Sequence, residues 1–146
     1  MPEQQGDVSP ISDAVTQEVR VEVMAQHSPE NSRPRDGEWV FQYTVRITNQ
    51  SSEPVQLLSR HWIITDSDNQ VQEVRGMGVV GEQPTIQPGA SYEYTSGSSL
   101  STMVGTMRGT YQMMAEDGTK YDAGIPEFTL SVPHVMHQLS GPTDFC

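Results

Sequence analysis

"EWVFQYTVRIT" (residues 38–48) alternates along its length: Trp39, Phe41, Tyr43, Val45 and Ile47 are apolar, while Glu38, Gln42, Thr44, Arg46 and Thr48 stand between them. Successive side chains of an extended chain point to opposite faces, so this run reads as a strand with one face in a core and the other in water. The pattern recurs. It places Val19, Val21, Val23 and Ala25 together in "EVRVEVMAQ", Tyr92 and Tyr94 in "SYEYTSG", Met103, Met107, Tyr111 and Met113 in "MVGTMRGTYQMM", and Phe128, Leu130 and Val132 in "EFTLSV". Turn-forming residues fill the gaps, as in "SPENSRPRDG", "NQSSEP", "DSDNQ", "QPGAS" and "AEDGTK". Short strands with a turn signal between nearly every pair predict an all-β, antiparallel sandwich or barrel of about seven or more strands, and no segment reads as a helix. Met103, Met107 and Met113 read as core, with Gly105 and Gly109 on the same face making room for something bulky, a Trp or Tyr of the facing sheet.

One strand departs from the pattern. In "PVQLLSRHWIITDS" (residues 54–67) the apolar parity is odd at Val55 and Leu57 and even at Leu58, Trp62 and Ile64, while Ile63 keeps the odd face. A bulge near Leu58 to Arg60, or burial of both faces, accounts for this. Arg60 and His61 lie at the irregularity.

A chain of 146 residues fits one domain. Residues 1–17 lack periodicity and read as a flexible extension, residues 18–137 as the domain and residues 138–146 as a tail, with both ends dispensable for stability. The net charge of -11 opposes nucleic acid and anionic lipid as partners. Lys120 is the only lysine, so an anion site must be built from Arg and backbone amides. No basic leader precedes an apolar run and no segment is long enough to insert in a membrane. Cys146 is the one cysteine, which excludes an internal disulfide and agrees with a cytoplasmic protein.

"RGMGVVGEQP" (residues 75–84) carries Gly76, Gly78 and Gly81 at the G-x-G-x-x-G spacing of dinucleotide sites. Such a site needs a helix opening at the third glycine, and Pro84 and Pro88 forbid it. Glycines that let a loop cross close to neighbouring strands explain the spacing better. A weaker possibility remains, in which Arg75 and the amides of Gly76, Gly78 and Gly81 form a nest for a small anion. His134 and His137 form H-x-x-H away from His27 and His61, without the carboxylates or tight spacing of a metal site. No serine or cysteine sits in a nucleophile motif. The reading is therefore no enzyme, no catalytic residue, no metal and no cofactor.

The blocks "QLLSRHWIITD", "VRGMGVVGEQPTIQPGASYEYTSG", "GTMRGTYQM" and "IPEFTLSVP", in this order, resemble the ApaG (DUF525) family over about residues 18–134. The resemblance implies a sandwich of the immunoglobulin or fibronectin type III kind in which the glycine stretch belongs to no dinucleotide fold. Bacterial members carry a label of cobalt and magnesium efflux, with genes near those for diadenosine tetraphosphate hydrolysis and ribosomal RNA dimethylation. Similar domains end F-box proteins and occur in a polymerase delta-interacting protein, where the implied role is protein binding. Two expectations follow. One is a soluble module for protein–protein interaction through a sheet face or edge, with Arg60 and His61 as candidate surface residues, an unidentified protein as partner and a homodimer left open; its link to metal efflux is indirect. The alternative is a sensor for pyrophosphate, another phosphorylated ligand or a divalent cation.

Overall fold

The computed structural model describes residues 11–133. The alternating run around Phe41 becomes β3 (Trp39–Asn49), which pairs with β2 (Val19–His27) on one edge and β7 (Ser91–Leu100) on the other. β1 (Ser12–Thr16) extends this sheet beyond β2, giving the order β1-β2-β3-β7. The second sheet runs β5-β4-β8-β9, from β5 (Val71–Met77), β4 (Val55–Asp66), β8 (Val104–Ala115) and β9 (Lys120–Ser131). The two-residue β6 (Thr85–Ile86) pairs with the start of β4. All pairings are antiparallel, so the sandwich expected from the alternation is the fold.

The inward positions are the apolar ones. Phe41, Val45 and Ile47 are fully buried, and Tyr43 and Trp62 meet edge to face with ring centroids 5.3 Å apart. Trp62 also packs edge-on against Tyr111 and Phe128. Polar links also cross between the sheets: the hydroxyls of Tyr94 in β7 and Tyr111 in β8 hydrogen-bond to each other, which satisfies two groups that burial would otherwise leave unpaired. On the outer face of the first sheet Arg46 meets Glu93 and Thr44 meets Thr95.

Four particulars refine the sequence reading. The β4 register shifts between Leu57 and Ser59, so the bulge lies where the parity change puts it. Met103 lies outside β8 and is 41% exposed, because the strand starts only at Val104; it is not core as expected. The bulky neighbour at Gly109 is not an aromatic ring but the backbone of β4, since an added Cβ would run into the His61 carbonyl oxygen; one at Gly105 would lie 2.6 Å from the Thr65 carbonyl oxygen of β4 and 2.8 Å from Leu100 Cδ1.

The fourth concerns the N-terminal segment. Residues 12–16, read as part of a flexible extension, form β1, paired to β2 from Ser12 opposite Val23 to Thr16 opposite Val19. The two-residue turn between them holds Gln17 at φ 46° and Glu18 at φ 66°. Hairpin turns of this hand normally use Asn or Gly, so the turn carries no compositional signal. Asp13 pairs with Arg20 at 2.9 Å, and the Thr16 hydroxyl accepts a hydrogen bond from Gly124 N–H in β9 at 3.1 Å. The expected C-terminal tail at residues 138–146 lies outside the described residues.

Because β1 and β2 pack against β9, one long side of the sandwich is closed, while on the other side β5 and β7 are, among the described residues, unpaired sheet edges. A chain beginning at residue 18 should therefore melt several degrees below one beginning at residue 11, from a loss of about 1–2 kcal/mol. Equal melting temperatures by calorimetry would show that β1 contributes nothing to the sandwich.

Candidate functional site

The open side owes its shape to small and polar residues at inward positions. On β7 the inward set is Tyr92, Tyr94, Ser96, Ser98 and Leu100; on β5 it includes Gln72, Val74 and Gly76. Serine and glycine stand where a core strand would place large side chains, and the sheets are left with a groove of about 340 Å³ between them. Its floor is formed by Arg60, Trp62 and Tyr43. Past Ile64, Gln72 and Ser99 the groove runs on into a second hollow lined by Glu38, Asp66 and Gln70.

The bulge is why an arginine lies in this floor. Before it, the odd residues Val55 and Leu57 face inward; after it the even ones do, so Arg60 shares a face with buried Trp62 and Ile64. Arg60 Nη1 donates to the carbonyls of Met77 at 3.2 Å and Gly78 at 2.8 Å. Its guanidinium lies over the bare backbone of Gly76, where a Cβ would stand 2.7 Å from Nη2. Nε and Nη2 have no acceptor among the described residues, nor has the buried indole N–H of Trp62.

The Arg60 charge faces three tyrosine hydroxyls. Burial raises the Tyr43 hydroxyl above its ordinary range, while a hydrogen bond with Ser96 and the Arg60 charge partly offset this. Burial lifts Tyr94 and Tyr111 much further, against a smaller downward pull from Arg60. Raised folded-state values stabilise the fold fully below the unfolded tyrosine value of about 10 and lose that stability as pH climbs toward them. Tyr94 and Tyr111 should thus ionise only together with unfolding. Absorbance at 295 nm followed against circular dichroism checks this, and full tyrosine titration in a still-folded protein would contradict it.

Each glycine of the G-x-G-x-x-G stretch has a separate structural task. Gly76 clears the bed for Arg60. Gly78 takes φ +65° and leaves no room for a side chain, since a Cβ would overlap the Glu82 carbonyl oxygen. Gly81 is the second residue of a turn whose first, Val80, also has positive φ; Val79 N–H donates to Glu82 O at 2.8 Å and Glu82 N–H returns to Val79 O at 2.9 Å. Gly78 N–H donates to the carbonyl of bulge residue Leu58, which also accepts from Gln83 Nε2. Of the nest candidates Gly76, Gly78 and Gly81, the Gly78 amide is therefore committed to the Leu58 carbonyl, and the adjacent Val79 amide is committed to that of Glu82. Gly78→Ala should cost about 2 kcal/mol or more, combining strain with overlap, and Gly81→Ala, with open space around it, about 1 kcal/mol. Chemical denaturation that ranks the two in the opposite order would refute this division of tasks.

On the outer face of the second sheet the other candidates meet. His61 Nε2 lies 2.9 Å from Glu73 Oε1, and Arg75 Nη2 donates to the same oxygen at 3.3 Å. The His61 hydrogen bond, followed by the His61 and Arg75 charges, holds the Glu73 carboxyl below its usual range. Arg60 and His61, neighbours in sequence, thus part to opposite faces, and the same alternation separates Arg75 from Gly76. Among the described residues no group of three or more His, Cys, Asp or Glu side chains converges, and no helix is long and apolar enough to cross a membrane. His134 and His137 lie outside the described residues.

The pattern of the ApaG domain (DUF525) matches residues 29–115, from the β2–β3 connection to the end of β8. The chain belongs to the ApaG domain family. It is 56% identical over 127 residues to Protein ApaG of Dechloromonas aromatica, covering 87% of this chain and all of that one. A crystal structure described as an ApaA protein of Bordetella pertussis superposes with a TM-score of 0.77 at 50% identity, over 86% of this chain and 97% of that chain. A second solved structure, a structural-genomics target, gives 0.78 at 41% identity, over 84% and 92%. The ApaG domain match contains both walls and the floor of the groove, and the closing strands β1 and β9 lie outside it.

Tyr43, Ser96 and Ser98 were not singled out as site residues by sequence. The available signal was the pair of serines continuing the inward parity of Tyr92 and Tyr94, where a core strand would carry Val or Ile.

Proposed function

We propose that this ApaG domain is a non-enzymatic binding module of the cytoplasm that lays an extended segment of a partner protein along its open β5–β7 side. The observation that carries the reading is β7, a ten-residue strand that among the described residues is hydrogen-bonded on one edge only, beside a groove left unfilled by Ser96 and Ser98. A free strand edge supplies a row of backbone donors and acceptors to an added strand, and a groove beside it receives alternate side chains. The groove has no arrangement for nucleophilic catalysis: among the described residues neither Ser96 nor Ser98 is hydrogen-bonded to a histidine or a carboxylate. Burial also keeps the tyrosine hydroxyls protonated. A pyrophosphate or cation sensor built on Arg75 has less support, since Arg75 is paired with Glu73 and the neighbouring Gly78 and Val79 amides are occupied. Any bearing on cobalt or magnesium resistance would pass through the bound partner, and a second copy of the chain is the competing occupant of the β7 edge.

Ser98→Leu tests the reading because it fills the groove with apolar volume at an inward position. Its melting temperature should equal or exceed that of the parent, since filling a void stabilises when no strain follows. A photo-reactive residue at exposed Gln72, on the groove rim, should give a discrete adduct in living cells that the Ser98→Leu background loses. The same residue at Thr44, on the opposite sheet's outer face, should give none. An adduct from Thr44 alone, or one from Gln72 untouched by Ser98→Leu, would move the binding surface elsewhere, and an adduct of twice the chain mass would identify the partner as a second copy.

A further inference from the structure

The two ends of the groove carry opposite charge. At one end is Arg60, half-buried, with no carboxylate partner among the described residues and with Nε and Nη2 unclaimed. At the other end Glu38 and Asp66 line the second hollow. Ser96 and Ser98 add hydroxyls along the wall. The Arg60 end thus offers free guanidinium donors beside hydroxyls that can also donate, which complements an acceptor-only group. In a chain of net charge -11, a lone guanidinium fits one carboxylate better than a multiply charged phosphate, because a planar carboxylate can meet two of its N–H groups at once.

Resting on the groove reading above, the geometry points to a partner segment of specific charge order: an extended stretch that places an acidic side chain against Arg60 and a basic side chain toward Glu38 and Asp66. Arg60 and Asp66 stand six residues apart on β4, a span of about 20 Å at roughly 3.3 Å per residue. An extended partner covers that span with the acidic and basic residues about six positions apart. An even separation puts both side chains on the same face of the added strand, toward the groove.

The test uses synthetic peptides with blocked ends, so that terminal charges play no part. An octapeptide with Glu and Lys six positions apart, separated by alternating Thr and Val, is compared with its reversed order, with a Glu-to-Gln version and with a Lys-to-Gln version. Backbone amide shifts of Ser96 to Ser98 locate and titrate binding. One of the two orders should bind at the groove, roughly tenfold tighter than its Gln versions, the usual worth of a charge-assisted contact. That advantage should shrink as salt rises. Arg60→Met should make the Glu and Gln peptides equal, and Ser98→Leu, which leaves Arg60 and its loop contacts in place, should abolish binding of both. Groove shifts of equal strength for Glu and Gln would overturn the charge assignment and leave the groove reading standing. The absence of groove shifts with every peptide would also overturn the assignment, and the cross-linking at Gln72 then decides separately whether the groove binds at all. Tighter binding of pyrophosphate than of the Glu peptide at the same amides would replace the carboxylate with a phosphate.

Discussion

One additional residue in β4, the bulge at Leu58, sets the geometry on which the rest of the second sheet depends. A strand that kept its parity would bury Val55 and Leu57 but turn Trp62 and Ile64 outward; the bulge brings both pairs onto the inner face. The carbonyl of the bulge residue Leu58 is the anchor for the glycine loop, accepting from Gly78 N–H and Gln83 Nε2. The same shift turns Arg60 inward, where Nη1 ties the loop down from the other side. Core, loop and groove floor are therefore consequences of a single irregularity, and bulges commonly re-aim side chains in this way.

The inward arginine creates an electrostatic imbalance. Burying a charge is costly unless it is paired and hydrogen-bonded. Arg60 is served by two carbonyls through one nitrogen, and the serine-lined gap leaves its remaining donors open to the groove. A protein selected for stability alone would fill that gap with aliphatic side chains, as it does on the closed side, where Val19, Val21, Ile125 and Leu130 are buried. An unfilled inward position beside a half-satisfied charge is the kind of local concession that binding sites make.

Two of the tight turns with positive φ show how unevenly such geometry registers in sequence. Gly81 marks its turn openly, even though Val80 before it takes the strained position. Gln17 and Glu18 adopt the same hand with no Gly, Asn or Asp, so β1 reads as an unstructured extension until its pairing with β2 and its Thr16 contact to Gly124 are seen. Neighbouring strands fix that conformation, and a local composition argument has no access to them.

The alternation, the antiparallel class, the place of the irregularity in β4 and the lack of a helix after Gly81 were all determined by the sequence itself, because period-two patterning and the placement of proline act over a few residues. The same alternation assigns Phe41, Tyr43 and Trp62 to the core. What only the tertiary structure decided is which strands become edges, and hence where the sandwich stays open. Arg60 and His61 are adjacent in the chain, yet one ends in a groove and the other in an outer ion pair, since a strand sends neighbours to opposite faces and the register across sheets chooses which face is inside. Ser96 lies beside Tyr43 because β7 pairs with β3, and across from Arg60 because β7 and β4 belong to different sheets, a juxtaposition of residues distant in the chain that no local pattern encodes.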